Sequence, residues 1–257
     1  MKLQIDINCD LGEGYGTYRV GNDAGIMPHI TSANIACGFH AGDPMTMAQT
    51  VSLAKRHRVA VGAHPGYPDL LGFGRREMQL SSEEVMNCIT YQIGALQGFA
   101  KAVGLSLQHV KPHGALYNTA AEHEDTSKGV VGAVRAFEDK LIILAPPNSV
   151  LARVAVDAGL RVAYEFFADR AYNADGRLVS RRHPDAIVKE ARKVVERAVR
   201  AVIEKTVLAS DGEVVNLGEV HTICVHGDTP AAVTLVETLK KGLIQANIEV
   251  KPLGSFI

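Results

Sequence analysis

The chain has no tryptophan, and aromatic residues make up only 5% of its 257 residues. Sites for long sugar polymers usually present flat aromatic faces, so a polysaccharide is a poor candidate substrate. Net charge is nearly absent, with 27 Lys and Arg against 28 Asp and Glu. The basic excess or stripe of a nucleic-acid binder is therefore missing. No apolar run approaches the roughly 20 residues needed to cross a bilayer. Met1-Lys2-Leu3-Gln4-Ile5-Asp6 places acid and amide where a signal peptide would be apolar. Cys9, Cys37, Cys88 and Cys224 form no Cys-x-x-Cys pair, which fits reduced thiols in a cytoplasm rather than a disulfide frame. There is no Gly-x-x-x-x-Gly-Lys-Ser/Thr phosphate loop. Gly12-Glu13-Gly14-Tyr15-Gly16 runs into Thr17 and Tyr18, where a dinucleotide fingerprint would have a glycine and then a helix. What remains is a soluble, cytoplasmic protein of ordinary globular composition, 47% hydrophobic and 21% charged. No linker or low-complexity stretch divides it, so a single domain over residues 1–257 is expected.

Short strands alternate with helices from end to end. Strands are expected at Leu3–Cys9, Ala33–Cys37, Val59–Ala63, Gln108–Lys111, Leu141–Leu144, Arg161–Phe166 and Thr222–Val225. Asp43-Pro44 opens a helix to about Arg58, and Ser81-Ser82-Glu83-Glu84 opens another to about Val103, ended by Gly104. Ile187, Ala191, Val194, Val195, Ala198 and Val202 predict the longest helix over Pro184–Leu208. Asp228-Thr229-Pro230 opens the last. Pro65–Leu80 and Ala168–Arg182 read as extra loops, and Ser210–His221 as a small hairpin insert. This alternation means parallel strands joined by right-handed crossovers. A closed β/α barrel and an open doubly wound sheet both satisfy it.

Nearly every strand runs into a polar cluster at its C-terminal end, the edge where parallel α/β folds bind ligands. Period-2 alternation puts Gln4, Asp6, Asn8 and Asp10 on one face of the first strand, opposite Leu3, Ile5, Ile7 and Cys9. The same phase groups Asn34 with His40, Gly62 with His64, and His109 with Lys111 and His113. It groups Ala163 with Glu165, and Cys224 with His226 and Asp228. Burying so many polar groups is costly unless they pair with one another or with a ligand. Bland readings compete. His29, His57, His123 and His183 sit in helical or loop contexts. Asp43 and Asp228 read as helix N-caps, Cys9 and Cys37 as small buried side chains, Cys224 as packing, and Asp169–Arg170 as a surface ion pair. For Asp10, His64, Lys111, His113 and His226 the repetition at equivalent strand ends favours function. Asp10, His40 and His64 could form an Asp-His-His metal site, although their spacing fits no short metal motif.

The clusters resemble those of the LamB/YcsF family. The matching segments are Asp6-Ile7-Asn8-Cys9-Asp10-Leu11-Gly12-Glu13, Ala33-Asn34-Ile35-Ala36-Cys37-Gly38-Phe39-His40-Ala41-Gly42-Asp43 and Gly62-Ala63-His64-Pro65-Gly66-Tyr67-Pro68-Asp69. They continue at Val110-Lys111-Pro112-His113-Gly114-Ala115-Leu116-Tyr117-Asn118, Glu165-Phe166-Phe167-Ala168-Asp169-Arg170-Ala171-Tyr172 and Cys224-Val225-His226-Gly227-Asp228. The resemblance implies a seven-stranded parallel β/α barrel, similar to the glycoside hydrolase/deacetylase group. It implies ATP-driven cleavage of 5-oxo-L-proline (pyroglutamate) to L-glutamate, in a complex with PxpB and PxpC. ATP, with Mg, is the implied cofactor, and a divalent metal is a second candidate.

Within that activity, side-chain chemistry suggests roles. Lys111 or Arg170 would hold a carboxylate or an oxyanion. Asp10 and His64 would activate water, and His113 or His226 would protonate the leaving ring nitrogen. Glu165 and Asp169 would orient these bases or take the ring N–H. Asn8, Asn34, His40, Arg170 and Asp228 would contact substrate. Two alternatives stand beside this reading: a stand-alone metal-dependent amidohydrolase or deacetylase, and a non-catalytic substrate-binding subunit.

Overall fold

A computed structural model describes residues 2–137, 140–226 and 231–257. β1 (Gln4–Leu11) leads through α1 (Asp23–Ile26) to β2 (Ser32–Ala36). α2 (Pro44–His57), β3 (Ala60–His64), α3 (Ser82–Ala102) and β4 (Leu107–Val110) follow. Two helices, α4 (Gly114–Glu122) and α5 (Glu124–Arg135), precede β5 (Ile142–Ala145), α6 (Val150–Asp157) and β6 (Arg161–Phe167). Then come α7 (Ala191–Ile203), the antiparallel hairpin β7 (Thr206–Leu208) and β8 (Val214–Asn216), β9 (Thr222–Cys224), α8 (Ala232–Gln245) and β10 (Glu249–Val250).

Seven parallel strands close a barrel in the order β1-β2-β3-β4-β5-β6-β9, and β9 returns to β1. That closing pair sets Asp6, Ile7 and Asn8 opposite Thr222, Ile223 and Cys224, which excludes the open sheet. β10 pairs with β1 at Gln4 and Ile5, outside the ring. The helices cover the outside. Ile5, Ile7, Cys9 and Leu11 on β1 join one large apolar cluster with them. The opposite face of β1 points inward, and Asp6 and Asn8 are fully buried there. Near β5 and β6 the interior is apolar instead. Ile142, Leu144 and Ala163 pack on Leu253 of the C-terminal turn, and Gly254 N donates to Gln108 Oε1 at 3.0 Å.

Local chemistry explains the helix starts. Asp43 Oδ1 accepts from Met45 N and Thr46 N ahead of Pro44, as an N-cap should. Ser81 and Glu84 form a reciprocal capping box on α3, which at 21 residues exceeds α7 with 13. The expected Pro184–Leu208 helix is therefore corrected at both ends. Its periodicity is genuine from Val194 onward, where Val194, Ala198, Ala201 and Val202 are buried. Residues 184–190 instead fold back on the preceding loop, with Ala171 N donating to Ala186 O and Val188 N to Asp169 O. Thr206–Leu208 peels off as a strand of the hairpin, whose turn spans 209–213. The expected opening of the last helix at Asp228-Thr229-Pro230 lies outside the described residues. Among the described residues, no helix is long and apolar enough to cross a membrane.

The parallel register stacks functional side chains in layers. Asp10 lies opposite Asn34, Asn34 opposite Gly62, and Gly62 opposite His109. The glycine is required. A Cβ at position 62 would lie 2.1 Å from the His109 ring, so only glycine lets that imidazole fill the barrel interior.

Candidate active site

Lys111 leaves the end of β4 and places its ammonium in the barrel mouth. Nζ lies 3.0 Å from Asp10 Oδ1, 2.9 Å from Glu165 Oε1, 3.2 Å from Asn8 Oδ1 and 3.0 Å from Cys224 Sγ. Burial alone would lower the lysine, but Asp10, Cys224 and Glu165 override it and raise the ammonium well above its usual range. Burial likewise works to raise Asp10, yet His64 and Lys111 hold its carboxyl well below the usual carboxylate range. Burial pushes the Cys224 thiol well up despite the lysine beside it. Asn34 Nδ2 donates to Asn8 Oδ1 at 2.7 Å and to Asp10 Oδ1 at 2.8 Å. Asn34 Oδ1 takes His109 Nε2 at 2.7 Å. Burial, then Lys111 and His64, lowers His109 to about 3, so it stands neutral.

Beside this ionic group lies a nest of histidines. His64 ends β3 and His113 caps the start of α4, while His40 comes from the loop after β2. His64 Nε2 is 3.4 Å from Asp10 Oδ2 and 2.9 Å from His113 Nδ1. His40 Nε2 is 3.3 Å from Glu13 Oε1, and His113 Nδ1 is 3.5 Å from the same oxygen. The His40 and His113 rings stack at 3.7 Å. Burial lowers His40, and burial together with His40 and His64 drives His113 well below the usual imidazole range. Glu13, His40, His64 and His113 offer donor atoms within 4.8 Å of one another, so this group could hold a metal ion. Asp10, Cys224 and His226 make a second such group.

The third part follows β6 and β9. Asp169 is buried and accepts from the His226 backbone N at 3.0 Å and from its Nδ1 at 2.9 Å. Asp169 is lowered by His226 against the opposing effect of burial. Tyr117 donates its hydroxyl to Glu165 Oε2 at 2.7 Å. Phe167 stacks on His226, and Lys111 Nζ sits 5.1 Å from its ring centre.

Two loops roof these groups. In Pro65–Leu80, Gly66 N donates to Gln92 Oε1, His113 N to Pro65 O, and Ala115 N to Gly74 O. Asp69 and Arg76 are paired within that loop. In the loop after β6, Arg170 donates through Nη2 to Val179 O at 2.6 Å and through Nε to Ala186 O at 3.3 Å. Two surface grooves of about 540 and 680 Å³ lie elsewhere, along α6 and between α7 and the 183–188 loop.

The structure thus brings Asn8, Asp10, Asn34, His40, His64, Lys111, His113, Glu165, Asp169 and His226 to one end of the barrel. Arg170 uses two of its donors on carbonyls of its own loop. The Asp169–Arg170 surface pair does not form, since Asp169 is buried against His226. Asp228 lies outside the described residues. Cys224 is more than packing, since its sulfur takes the Lys111 ammonium. Glu13, Tyr117 and His109 received no role from the sequence. All three stood in the polar strands or strand ends, which was the available signal.

A family model described as LamB/YcsF family matches residues 5–257. A relative from Pyrococcus horikoshii, described as the A subunit of 5-oxoprolinase, is 50% identical over 99% of this chain and 100% of its own length. The solved structure of a lactam utilization protein from Thermus thermophilus superposes with a TM-score of 0.91 at 46% identity, over 97% of this chain and 99% of that one. At the level of fold alone, the catalytic domain of a peptidoglycan N-acetylglucosamine deacetylase from Eubacterium rectale has a TM-score of 0.51 at 13% identity, over 98% of this chain and 89% of that one. With residues 5–257 matched by the family model and nearly its full length shared with a half-identical relative, the chain belongs to the LamB/YcsF family.

Proposed function

We propose that this chain, acting as one barrel domain, supplies the ring-opening centre of an ATP-dependent 5-oxoprolinase. It would turn 5-oxo-L-proline into L-glutamate in the cytoplasm, together with PxpB and PxpC. The supporting observation is the buried Lys111 ammonium between Asp10 and Glu165, flanked by the Asp10–His64 and Asp169–His226 couples. A protein half identical to this one is described as the A subunit of 5-oxoprolinase.

A five-membered lactam is a stabilised amide whose closed form is favoured, so opening it needs coupling to ATP. Phosphoryl transfer to the lactam oxygen makes the ring carbon more electrophilic. Water then adds, the ring C–N bond breaks to leave an acyl phosphate, and a second water releases phosphate and glutamate. Asp10 and His64 would take the proton from the attacking water. Lys111 would stabilise the oxyanion from a site where its charge needs no reorganisation. Glu165, held by Tyr117 and Lys111, would fix that ammonium. His226, oriented by Asp169, would give a proton to the departing nitrogen, with His113 as the neighbouring candidate. Asn8, Asn34 and His40 line this space. The sequence lacks the Gly-x-x-x-x-Gly-Lys-Ser/Thr phosphate loop, so PxpB and PxpC would handle Mg-ATP.

The chain is assayed alone and with both partners for glutamate release from 5-oxoproline, with and without ATP. Release only from the full mixture with ATP is expected. Tight ATP binding and ATPase activity in this chain alone would overturn the division of labour. ATP-independent amide hydrolysis by the chain alone would promote the metal-dependent amidohydrolase reading, which the Glu13/His40/His64/His113 donors favour. Asp10→Ala and His64→Ala should each remove most turnover while the complex still assembles. Near-normal turnover in both would sink the assigned base.

A further inference from the structure

Two imidazoles in the barrel mouth face each other nitrogen to nitrogen at 2.9 Å. His64 Nδ1 lies 2.7 Å from Lys111 O, and His113 Nε2 lies 2.9 Å from Phe73 O. A carbonyl only accepts, so each of those nitrogens carries its ring's hydrogen. In neutral rings the opposite nitrogens, His64 Nε2 and His113 Nδ1, then present lone pairs 2.9 Å apart. Two lone pairs at that distance repel. The geometry calls for a proton or a cation between them.

Neighbouring carboxylates stabilise positive charge of either kind, and the donor spacing points to a metal ion. Glu13 Oε1 stands 3.5 Å from His113 Nδ1, and Asp10 Oδ2 stands 3.4 Å from His64 Nε2. A tetrahedral ion with bonds of about 2.0–2.1 Å spaces its donors about 3.3 Å apart. The His64–His113 and His113–Glu13 separations, 2.9 and 3.5 Å, fall on either side of that value, and all three donors lie within 4.8 Å of one another. His40 has an outer part. Among the described residues its buried Nδ1 has no hydrogen-bond partner, while Nε2 faces Glu13 at 3.3 Å. The consistent tautomer donates Nε2–H to Glu13 and leaves Nδ1 bare, so His40 orients the carboxylate from outside. The backbone carbonyls of Lys111 and Phe73 do the same for the two rings, the arrangement that outer partners give to metal-bound histidines. Gly74 lets the roof close on this nest, since a Cβ there would lie 2.7 Å from His40 Cβ and 2.9 Å from His113 Cδ2.

We propose that this chain binds one divalent transition-metal ion of the zinc class through His64 Nε2, His113 Nδ1 and Glu13, with the fourth position open to water or substrate. Imidazole donors select this class over Mg²⁺ and Ca²⁺, which prefer oxygen. The site goes beyond the 5-oxoproline reading and requires neither nucleotide nor partner; with the ion bound, His64 and His113 serve as ligands, which leaves the base role to Asp10 and the acid role to His226. It also revises the spacing-based set, since His113 and Glu13 replace His40 and Asp10.

The full chain is stripped with a chelator and titrated with Co²⁺ and then Zn²⁺, with no nucleotide or partner present. One equivalent of Co²⁺ is expected to bind, with the intense visible absorption of a four-coordinate ion, and one equivalent of Zn²⁺ to abolish that absorption. His113→Asn and Glu13→Gln, shown folded by circular dichroism, should bind at least tenfold more weakly. His40→Phe should cost about tenfold as an outer partner. Millimolar Mg²⁺ should leave the Co²⁺ spectrum unchanged. The proposal falls if wild-type protein takes up no Co²⁺ or Zn²⁺, whatever the variants do. It also falls if a folded His113→Asn variant binds as well as wild type. Nitrogen-15 spectra showing a proton held between His64 and His113, with no change on adding Zn²⁺, would assign the close contact to a protonated pair and overturn it.

Discussion

The floor and the mouth of the barrel are both polar and both buried, yet they solve burial in different ways. On the floor, Asp6 Oδ1 accepts from Thr31 Oγ1 and Ser32 Oγ, each at 2.7 Å, and Oδ2 accepts from Thr222 Oγ1. Gln108 Nε2 donates onward to Ser32 Oγ at 3.0 Å. That network is closed and built largely from neutral groups. In the mouth an ammonium sits among two carboxylates and a thiol, two imidazole nitrogens meet at 2.9 Å, and one imidazole nitrogen has no partner among the described residues. Asp6 and Asp10 share one face of β1, but burial pushes Asp6 up to about 6 while His64 and Lys111 hold Asp10 well down. A satisfied network specifies structure. Bonding capacity left over in a buried cluster marks the place where a ligand completes it.

The sharpest way to break this contrast is Lys111→Met. It strands Asp10 and Glu165 without their counter-ion, which should cost about 3–5 kcal/mol of stability and abolish turnover. Denaturant unfolding beside a glutamate assay of the assembled enzyme measures both, and unchanged stability would mean the mouth is not held by ion pairing.

The floor should respond to pH instead. Asp6 has a folded-state pKa of about 6 against an ordinary 3.8, so its stabilising contribution is full below the ordinary value and is lost as pH rises through about 6. The stability gap between wild type and Asp6→Asn should therefore shift by about 3 kcal/mol between pH 3.5 and pH 7, as urea unfolding across that range would show. Asp10 works with the opposite sign, since its contribution is present above the ordinary carboxylate pKa and lost as pH falls. A pH-independent gap would mean that Asp6 titrates normally.

Asp169→Asn tests whether the mouth needs orientation as well as charge. Losing the carboxylate that fixes His226 should lower turnover about a hundredfold, with the chain still folded by circular dichroism. A fall in substrate affinity alone would reassign the pair to binding. The smallest effect belongs to Asp43→Ala, outside both regions. It removes the α2 cap and should cost about 1 kcal/mol by thermal unfolding, with turnover intact. A loss of turnover would extend the functional mouth to the start of α2.

Much of this was legible beforehand. The alternation of Asp6, Asn8 and Asp10 with Ile5, Ile7 and Cys9 fixes which face of β1 looks inward, because successive strand side chains point to opposite sides. Strand-helix alternation pointed to parallel strands, and the caps at Asp43 and Ser81 are local chemistry readable from a few residues. Pro184–Leu208 was less legible, since its apolar period does not show that residues 184–190 are used to roof Asp169 and Arg170.

The sequence by itself determined the strands, their inward faces and the collection of Asp10, His64, Lys111, His113 and His226 at one edge. Period and handedness are local properties of the chain. Tertiary structure alone decided the pairings within that edge: Asp169 with His226, Glu165 with Lys111 and Tyr117, and Glu13 with His40 beside the opposed His64 and His113. Those contacts depend on barrel closure and parallel register, which bring residues 157 positions apart within hydrogen-bonding distance, as between Asn8 and Glu165 in that same mouth. Phase along a single strand carries no information about the side chains that arrive from the loops.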